Sequence, residues 1–314
     1  MVNTLTVFTS ALGKILPEGR FKEFLRRCYY KSSLQSYVLS LESLSKIMTK
    51  VELRNDNSLL VVLDDGTKLL APKDEAADPS LTYALRYGQQ KLSHLRGLEY
   101  YWGFVAVLRE IFLDRIYEQY YTPKKGDAVI DVGAHIGIFT VKAARMVAGS
   151  GGRVIAIEPD VNNLRFLEQN IKINGLKNVV VVPKGIWSKP DRLKLFLGTH
   201  SMTSSLYHQE WQTDNIAEVE VDSLDNMLKQ VRVARADFIK MDVEGAEIEA
   251  LKGMKGALAG NANLVISAYH EQDGKATYKT VVPRLKNEGY KVHEEGGIVY
   301  GARGELIRTG QVTK

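Results

Sequence analysis

From residue 128 onward the chain alternates short apolar strands with helical segments, and this alternation constrains the fold more than any other feature. "AVIDV", "RVIAIE", "NVVVVPKG", "AEVEVD", "ADFIKMD" and "NLVISAY" read as strands. "GIFTVKAARMVA", "DVNNLRFLEQNIKING", "SLDNMLKQV" and "AEIEALKGM" read as helices between them, and "KATYKTVVPRLKNEG" as a helix after the last. Continuous apolar strands separated by helices form a parallel sheet covered on both faces. The closing stretch, "YKVHEEGGIVYGARGELIRTG", reads as short strands making an antiparallel hairpin at the sheet edge. The predicted fold class is therefore α/β, a Rossmann-like doubly wound sheet, mostly parallel with an antiparallel edge.

"TPKKGD", Thr122 to Asp127, interrupts the chain with Pro and Gly just before this region. Two domains are predicted, residues 1–125 and 126–314. In the first, residues 1–50 have helical apolar spacing, at Phe21, Phe24, Leu25, Leu34, Val38 and Leu41. Residues 51–72 read as a hairpin around the turn "LDDGT". Residues 80–121 read as helical, with Tyr100, Tyr101, Trp102 and Phe104 as packing residues.

The net charge of +5 is carried entirely by residues 1–50, which hold eight Lys/Arg against three Glu. A packed helix with a solvated basic face accounts for this. The functional expectation is a peripheral contact with an anionic membrane surface or an acidic partner. Aromatic–basic alternation is missing, so no nucleic-acid partner is expected. A 45% hydrophobic, 25% charged composition is that of a soluble globular chain. No uncharged apolar run reaches about 18 residues, and the N-terminus lacks a basic n-region and a clear cleavage site. Cys28 stands alone, which rules out a disulfide framework. A cytoplasmic location is expected.

The turn after the first strand, "VIDVGAHIGIFT", is where an open α/β sheet receives its ligand. Gly133 permits a tight turn, and Gly137 lets the helix start close to the strand. The spacing departs from the G-x-G-x-x-G of dinucleotide binders, and His135 and Ile136 add bulk. An NAD-dependent oxidoreductase is disfavoured for that reason. Asp131 places a carboxylate at the strand end, which repels phosphate and suits a cationic ligand. S-adenosylmethionine (SAM) has a sulfonium, an ammonium and no phosphate. In "AIEPD", Glu158 ends the second strand and can accept hydrogen bonds from both ribose hydroxyls, while Pro159 can pack on adenine. Gly185, Ile186 and Trp187, in "PKGIWS", are expected to wall the adenine.

Together "VIDVGAHIGIFT", "AIEPD", "LEQNIKING", "DSLDNML" and "FIKMDVEGAEIEALKGM" resemble the FkbM family of SAM-dependent methyltransferases, over about Gly126 to Glu271. The resemblance implies a class I methyltransferase fold and, usually, O-methylation of a hydroxyl on a sugar, glycan or natural product. It places the cofactor site on Asp131, Gly133, Ala134, Gly137, Glu158 and the Trp187 region. One departure is Ala268, where the family often carries a glutamate two residues before a histidine.

Methyl transfer to a hydroxyl requires orientation of two partners and removal of a proton. "KMDVEGAE" and "AYHE" end strands that converge in this fold. Asp242 is expected to hold the ammonium or orient the acceptor. His270 is expected to be the general base, because an unperturbed imidazole titrates near neutrality. Glu244 and Glu247 complement the dipole of the next helix. Asp242, Glu244 and His270 also have the chemistry of a divalent-metal site, but no fixed ligand spacing marks one, and no metal is assigned. His135 is expected to face the helix entrance, and His200 and His208 to be loop residues. A non-catalytic, adenosine-binding scaffold of the same fold would keep Glu158 without needing His270.

Overall fold

The computed structural model describes residues 42–73, 98–198, 204–207, 215–272 and 274–309. Most of the basic segment, Cys28, His200, His208 and the Trp102 side chain lie outside this description, as do the expectations attached to them.

Before the main sheet, residues 42–47 are helical and lead into a three-stranded antiparallel sheet of β1 (Met48–Leu53), β2 (Leu59–Leu63) and β3 (Lys68–Ala71). The expected Asp-Gly turn joins β2 to β3, with Gly66 at φ 81 and Asp65 accepting the Thr67 N–H. The strand β1 falls partly where the sequence reads helical. The aromatic region then forms α1 (Trp102–Leu108), a π-turn at Arg109–Leu113 and a 3-10 turn at Ile116–Glu118.

Beyond Asp127 come β4 (Ala128–Val132), α2 (Ile138–Val147), β5 (Arg153–Ile157), α3 (Val161–Ile173), β6 (Val179–Val182), β7 (Gly185–Ile186), β8 (Asp191–Phe196) and β9 (Ile216–Asp222). They are followed by α4 (Leu224–Gln230), β10 (Phe238–Met241), α5 (Glu247–Lys252), α6 (Lys255–Ala259) and β11 (Asn263–Ser267). A small ribbon of β12 (Glu271–Gln272) and β13 (Lys275–Ala276), α7 (Tyr278–Asn287), β14 (Lys291–Glu295) and β15 (Ile298–Ala302) complete the set.

The main sheet has the order β14-β15-β11-β10-β4-β5-β6. Its four inner pairings from β11 to β6 are parallel, and β15 and β14 are antiparallel. The α/β class, the doubly wound order and the antiparallel edge are all present. One expected strand goes elsewhere: "AEVEVD" (β9) pairs with β7 and β8 in a separate three-stranded sheet. Its alternating burial suits a ribbon with one wet face, whereas β4, β5, β10 and β11 are buried nearly throughout.

Successive strand residues enter opposite cores. Val129, Val154, Phe238 and Val265 pack under α2, together with Tyr101, Phe104 and Tyr117 from before Asp127. Ile130, Ile155, Ile239 and Ile266 pack against α4, α5, α6 and α7. Residues on both sides of the "TPKKGD" break therefore share one core. Asn170, fully buried, ties the small sheet to the main one. Its side chain accepts the Leu70 N–H at 2.6 Å and donates to the carbonyls of Leu70 and Ile136 at 2.9 and 2.8 Å.

Strand order reverses between β4 and β10, and the chain crosses in opposite directions from the two. Loops after these strands diverge and leave a crevice at their carboxyl ends.

Candidate active site

A cavity of ≈190 Å³ occupies this crevice, with Gly133, Ala134, Glu158, Pro159, Ile186 and Asp242 among its walls. Its floor depends on glycine. A Cβ on Gly133 would lie 1.8 Å from the Asp242 carbonyl oxygen, and the residue sits at φ 75. Only glycine lets the ends of β4 and β10 approach this closely. Gly137 (φ 86) starts α2 against Leu167 and does not itself face the cavity.

Glu158 follows β5 and lines the cavity while almost wholly buried. Its Oε2 accepts the His135 N–H at 2.8 Å. Its Oε1 accepts from the Asp160 N–H at 3.0 Å and from Asn163 Nδ2 at 3.3 Å. Burial pushes its carboxyl up to about 7 against the pull of these bonds. A carboxylate has about four acceptor positions, so three bonds leave capacity for a ligand hydroxyl.

Besides Gly137, two expected cofactor residues lie elsewhere. Asp131 is completely buried and does not line the cavity. Lys240 Nζ sits 3.1 Å from its Oδ1, and Thr140 donates to its Oδ2 at 2.6 Å. Its charge is spent on a protein cation, since both residues occupy the same face of neighbouring strands. Trp187 also leaves the cavity. Its backbone N–H donates to the Asp222 carbonyl, and its ring packs on Tyr207 at 5.6 Å, because the sheet of β7, β8 and β9 draws the chain away after Ile186. His135 lines the cavity beside Ile138 and Phe139 at the start of α2; burial and Lys240 lower its pKa to about 3, so it is neutral.

At the other end, Asp242 and Glu244 line the cavity beside Tyr269. Glu244 is one of few non-glycine residues at positive φ (50), followed by Gly245 at φ 101. The Tyr117 hydroxyl donates to Asp242 Oδ2 at 2.8 Å. His270 stands behind the two carboxylates. Its Nε2 lies 3.5 Å from Glu244 Oε2 and 3.8 Å from Asp242 Oδ1, and its Nδ1 lies 2.8 Å from Glu247 Oε1. Burial alone would lower the His270 pKa. The neighbouring carboxylates of Glu244, Glu247 and Asp242 outweigh this and push it up to about 11. The near-neutral imidazole expected of a general base is therefore not what the site provides. Ala268 is buried in the sheet core, and Glu247 supplies the carboxylate beside the histidine.

The sequence reading missed Glu110 and Tyr117, which also line the cavity. Glu110 comes from the π-turn, and burial and the charge of Asp242 push its carboxyl up to about 7. The available signal for Glu110 was the charged pair Arg109–Glu110 inside the apolar run "VAVLREIFL".

The lining chemistry fits SAM. Glu110, Glu158, Asp242 and Glu244 supply negative charge, against Lys184 and a Lys240 already neutralised by Asp131. Such a cavity favours a cationic ligand and disfavours phosphate. Pro159 and Ile186 offer apolar walls to a base, and Glu158 an acceptor to ribose.

The sequence model of the FkbM methyltransferase domain matches residues 131–292. Methyltransferase 1 of Beauveria bassiana is 25% identical over 208 residues, covering 60% of this chain and 81% of its own. The hexuronic acid methyltransferase AglP of Haloferax volcanii is 24% identical over 188 residues, covering 57% and 72%. The crystal structure of an FkbM methyltransferase from Methylobacillus flagellatus aligns with a TM-score of 0.41 at 22% identity. It covers 56% of this chain, and the chain spans 43% of that protein.

Proposed function

Because the chain belongs to the FkbM methyltransferase family, a class of SAM-dependent enzymes, we propose that it methylates a hydroxyl of a sugar, glycan or natural product. The observation that carries the hydroxyl reading is the carboxylate pair at the cavity wall, Asp242 and Glu244. A hydroxyl loses its proton as its oxygen attacks carbon, so it needs an acceptor at the nucleophile. The relative named for hexuronic acid supports an acceptor rich in hydroxyls.

SAM, when bound, supplies a methyl group on a positively charged sulfur. Glu158 would take the ribose hydroxyls, and Pro159 and Ile186 would flank the adenine. Gly133 and Ala134 let the main chain approach the ligand closely. Asp242 lies where the cavity meets Glu244 and Tyr269, offering negative charge to the ammonium and orienting the acceptor. Asp242 and Glu244 receive the proton at a carboxylate oxygen. His270, fixed by Glu247, acts through them as a positioning residue.

Residues 1–125 supply part of the acceptor specificity, through Glu110 and Tyr117. The basic segment 1–50 serves as a contact to an anionic surface, and the lone Cys28 suits a reducing, cytoplasmic setting. Among the described residues no helix is long and apolar enough to cross a membrane.

The test is incubation of the purified chain with methyl-labelled SAM and a panel of hexuronic acids, neutral glycans and amines. Label on a carbohydrate hydroxyl supports this function. Label on amines or carbon acceptors alone overturns it.

A further inference from the structure

We propose that Asp242, Glu244 and His270 together bind one divalent cation of the Mn²⁺ or Mg²⁺ kind. One donor atom from each of the three lies within 4.8 Å of the other two. His270 Nε2 is 3.5 Å from Glu244 Oε2 and 3.8 Å from Asp242 Oδ1. Two donors about 2.1 Å from one ion stand roughly 3 Å apart when adjacent and about 4.2 Å apart when opposite. The observed separations fall between these values.

A second observation is independent of that spacing. The His270 side chain is only 9% exposed, and its Nε2 has no hydrogen-bond partner. Asp242 Oδ1, which faces it, has none either. Buried polar atoms are nearly always paired, so two such atoms directed at one point call for a shared partner. The ring is also held as metal-binding histidines are held. Its Nδ1 meets Glu247 Oε1, a fully buried carboxylate that also accepts the Gly245 N–H. The carboxylate on Nδ1 points Nε2 at the other two acids, where a bound cation takes the place of the Nε2 proton and releases it to solvent. Imidazole and carboxylate donors in this ratio suit hard to borderline divalent ions. The sequence offers no ligand spacing because the donors come from two different strand ends.

The site opens to the cavity through Asp242 and Glu244. Three protein donors leave coordination positions for an acceptor hydroxyl. A cation there lowers the pKa of a hydroxyl it coordinates and fixes its direction. The proton then passes to a carboxylate oxygen not engaged with the ion. This use of the ion rests on the O-methyltransferase reading; its binding does not.

The test uses the full chain stripped with EDTA, without SAM or acceptor, titrated with Mn²⁺ alone. Loss of the free-ion EPR signal reads binding. One equivalent of Mn²⁺ should bind, be displaced by Mg²⁺, and show electron spin-echo coupling to an imidazole nitrogen. Glu244→Gln and His270→Gln should each weaken binding by at least the roughly 10–100-fold that loss of an outer-shell partner costs, with melting in EDTA unchanged. Glu168→Gln, an exposed acid on α3, should bind as wild type does. Absence of binding at millimolar Mn²⁺, absence of nitrogen coupling, or unchanged affinity in a folded Glu244 variant overturns the site. The spin-echo readout needs no variant and decides even where a substitution prevents folding. A chain that binds Mn²⁺ but methylates no hydroxyl would strike the proposed function and leave the cation site standing.

Discussion

Lys240 and Asp131 are register partners on neighbouring parallel strands, and their buried side chains form an ion pair at 3.1 Å. The pair sits directly under the cofactor turn, with Lys240 Nζ also donating to the Gly133 carbonyl at 2.6 Å. Removing one partner strands a buried charge. Asp131→Asn should therefore destabilise the fold by about 3–5 kcal/mol, measured by urea unfolding. Whatever remains folded should bind S-adenosylhomocysteine nearly as wild type does. A stable variant with abolished binding would return Asp131 to the ligand.

The Gly133 position tolerates no side chain. Gly133→Ala brings a Cβ against the Asp242 carbonyl at a φ of 75. The expected cost is several kcal/mol, at or above the roughly 1–3 kcal/mol of ordinary overpacking. Thermal melting should fall sharply. Gly149→Ala, at a positive φ but with no atom near the added Cβ, should cost much less.

Cofactor affinity should depend on pH through Glu158. Its carboxyl is pushed up to about 7 in the free protein, from an ordinary 4.5. The ionised form accepts ribose hydroxyls best, so affinity should rise as pH increases through about 7. The sign for stability is opposite. A group whose folded pKa is raised contributes stability below its unfolded value, lost as pH rises from about 4.5 through 7. Calorimetry between pH 6 and 8 should show the affinity trend in wild type and a flat profile in Glu158→Gln.

Asp242→Asn and Glu244→Gln should lower turnover by about 10²–10⁴-fold, the usual range for a lost proton acceptor. Glu244→Gln should do so with cofactor affinity nearly intact. Steady-state kinetics beside a binding titration separates the two effects. Full-rate variants would remove the carboxylates from proton transfer.

Asn170→Ala leaves the Leu70 N–H and the Leu70 and Ile136 carbonyls without their side-chain partner. Each such buried group costs about 1–3 kcal/mol. Unfolding should show the loss, and faster hydrogen exchange should appear at Leu70.

Much of this was legible in the sequence. The continuous apolar strands, the Asp-Gly turn and the strand-end glycines gave the sheet, its edge hairpin and the cavity floor. Glu158, Pro159, Asp242 and the Asp242–His270 convergence lie where strand ends must lie in an open α/β sheet. Asp131 misled because its position in the motif says where it ends a strand but not what stands beside it. Its partner was visible as another charge inside an apolar strand, "FIKMD", but the pairing required the strand order. Trp187 depends on β7, β8 and β9 forming a second sheet, which the period of β8 alone does not announce. Glu110 and Tyr117 arrive through π and 3-10 turns, whose departures from a regular helix redirect side chains within a segment that reads simply as helical.

The most direct measurement is a calorimetric titration of wild type and Glu158→Ala with S-adenosylhomocysteine, with NAD as the control ligand. Wild type should bind the former in the micromolar range and not the latter, and the variant should lose roughly 1–3 kcal/mol of binding. Binding of NAD alone, or an affinity unchanged by the Glu158 substitution, would contradict the assignment of this cavity to the methyl donor.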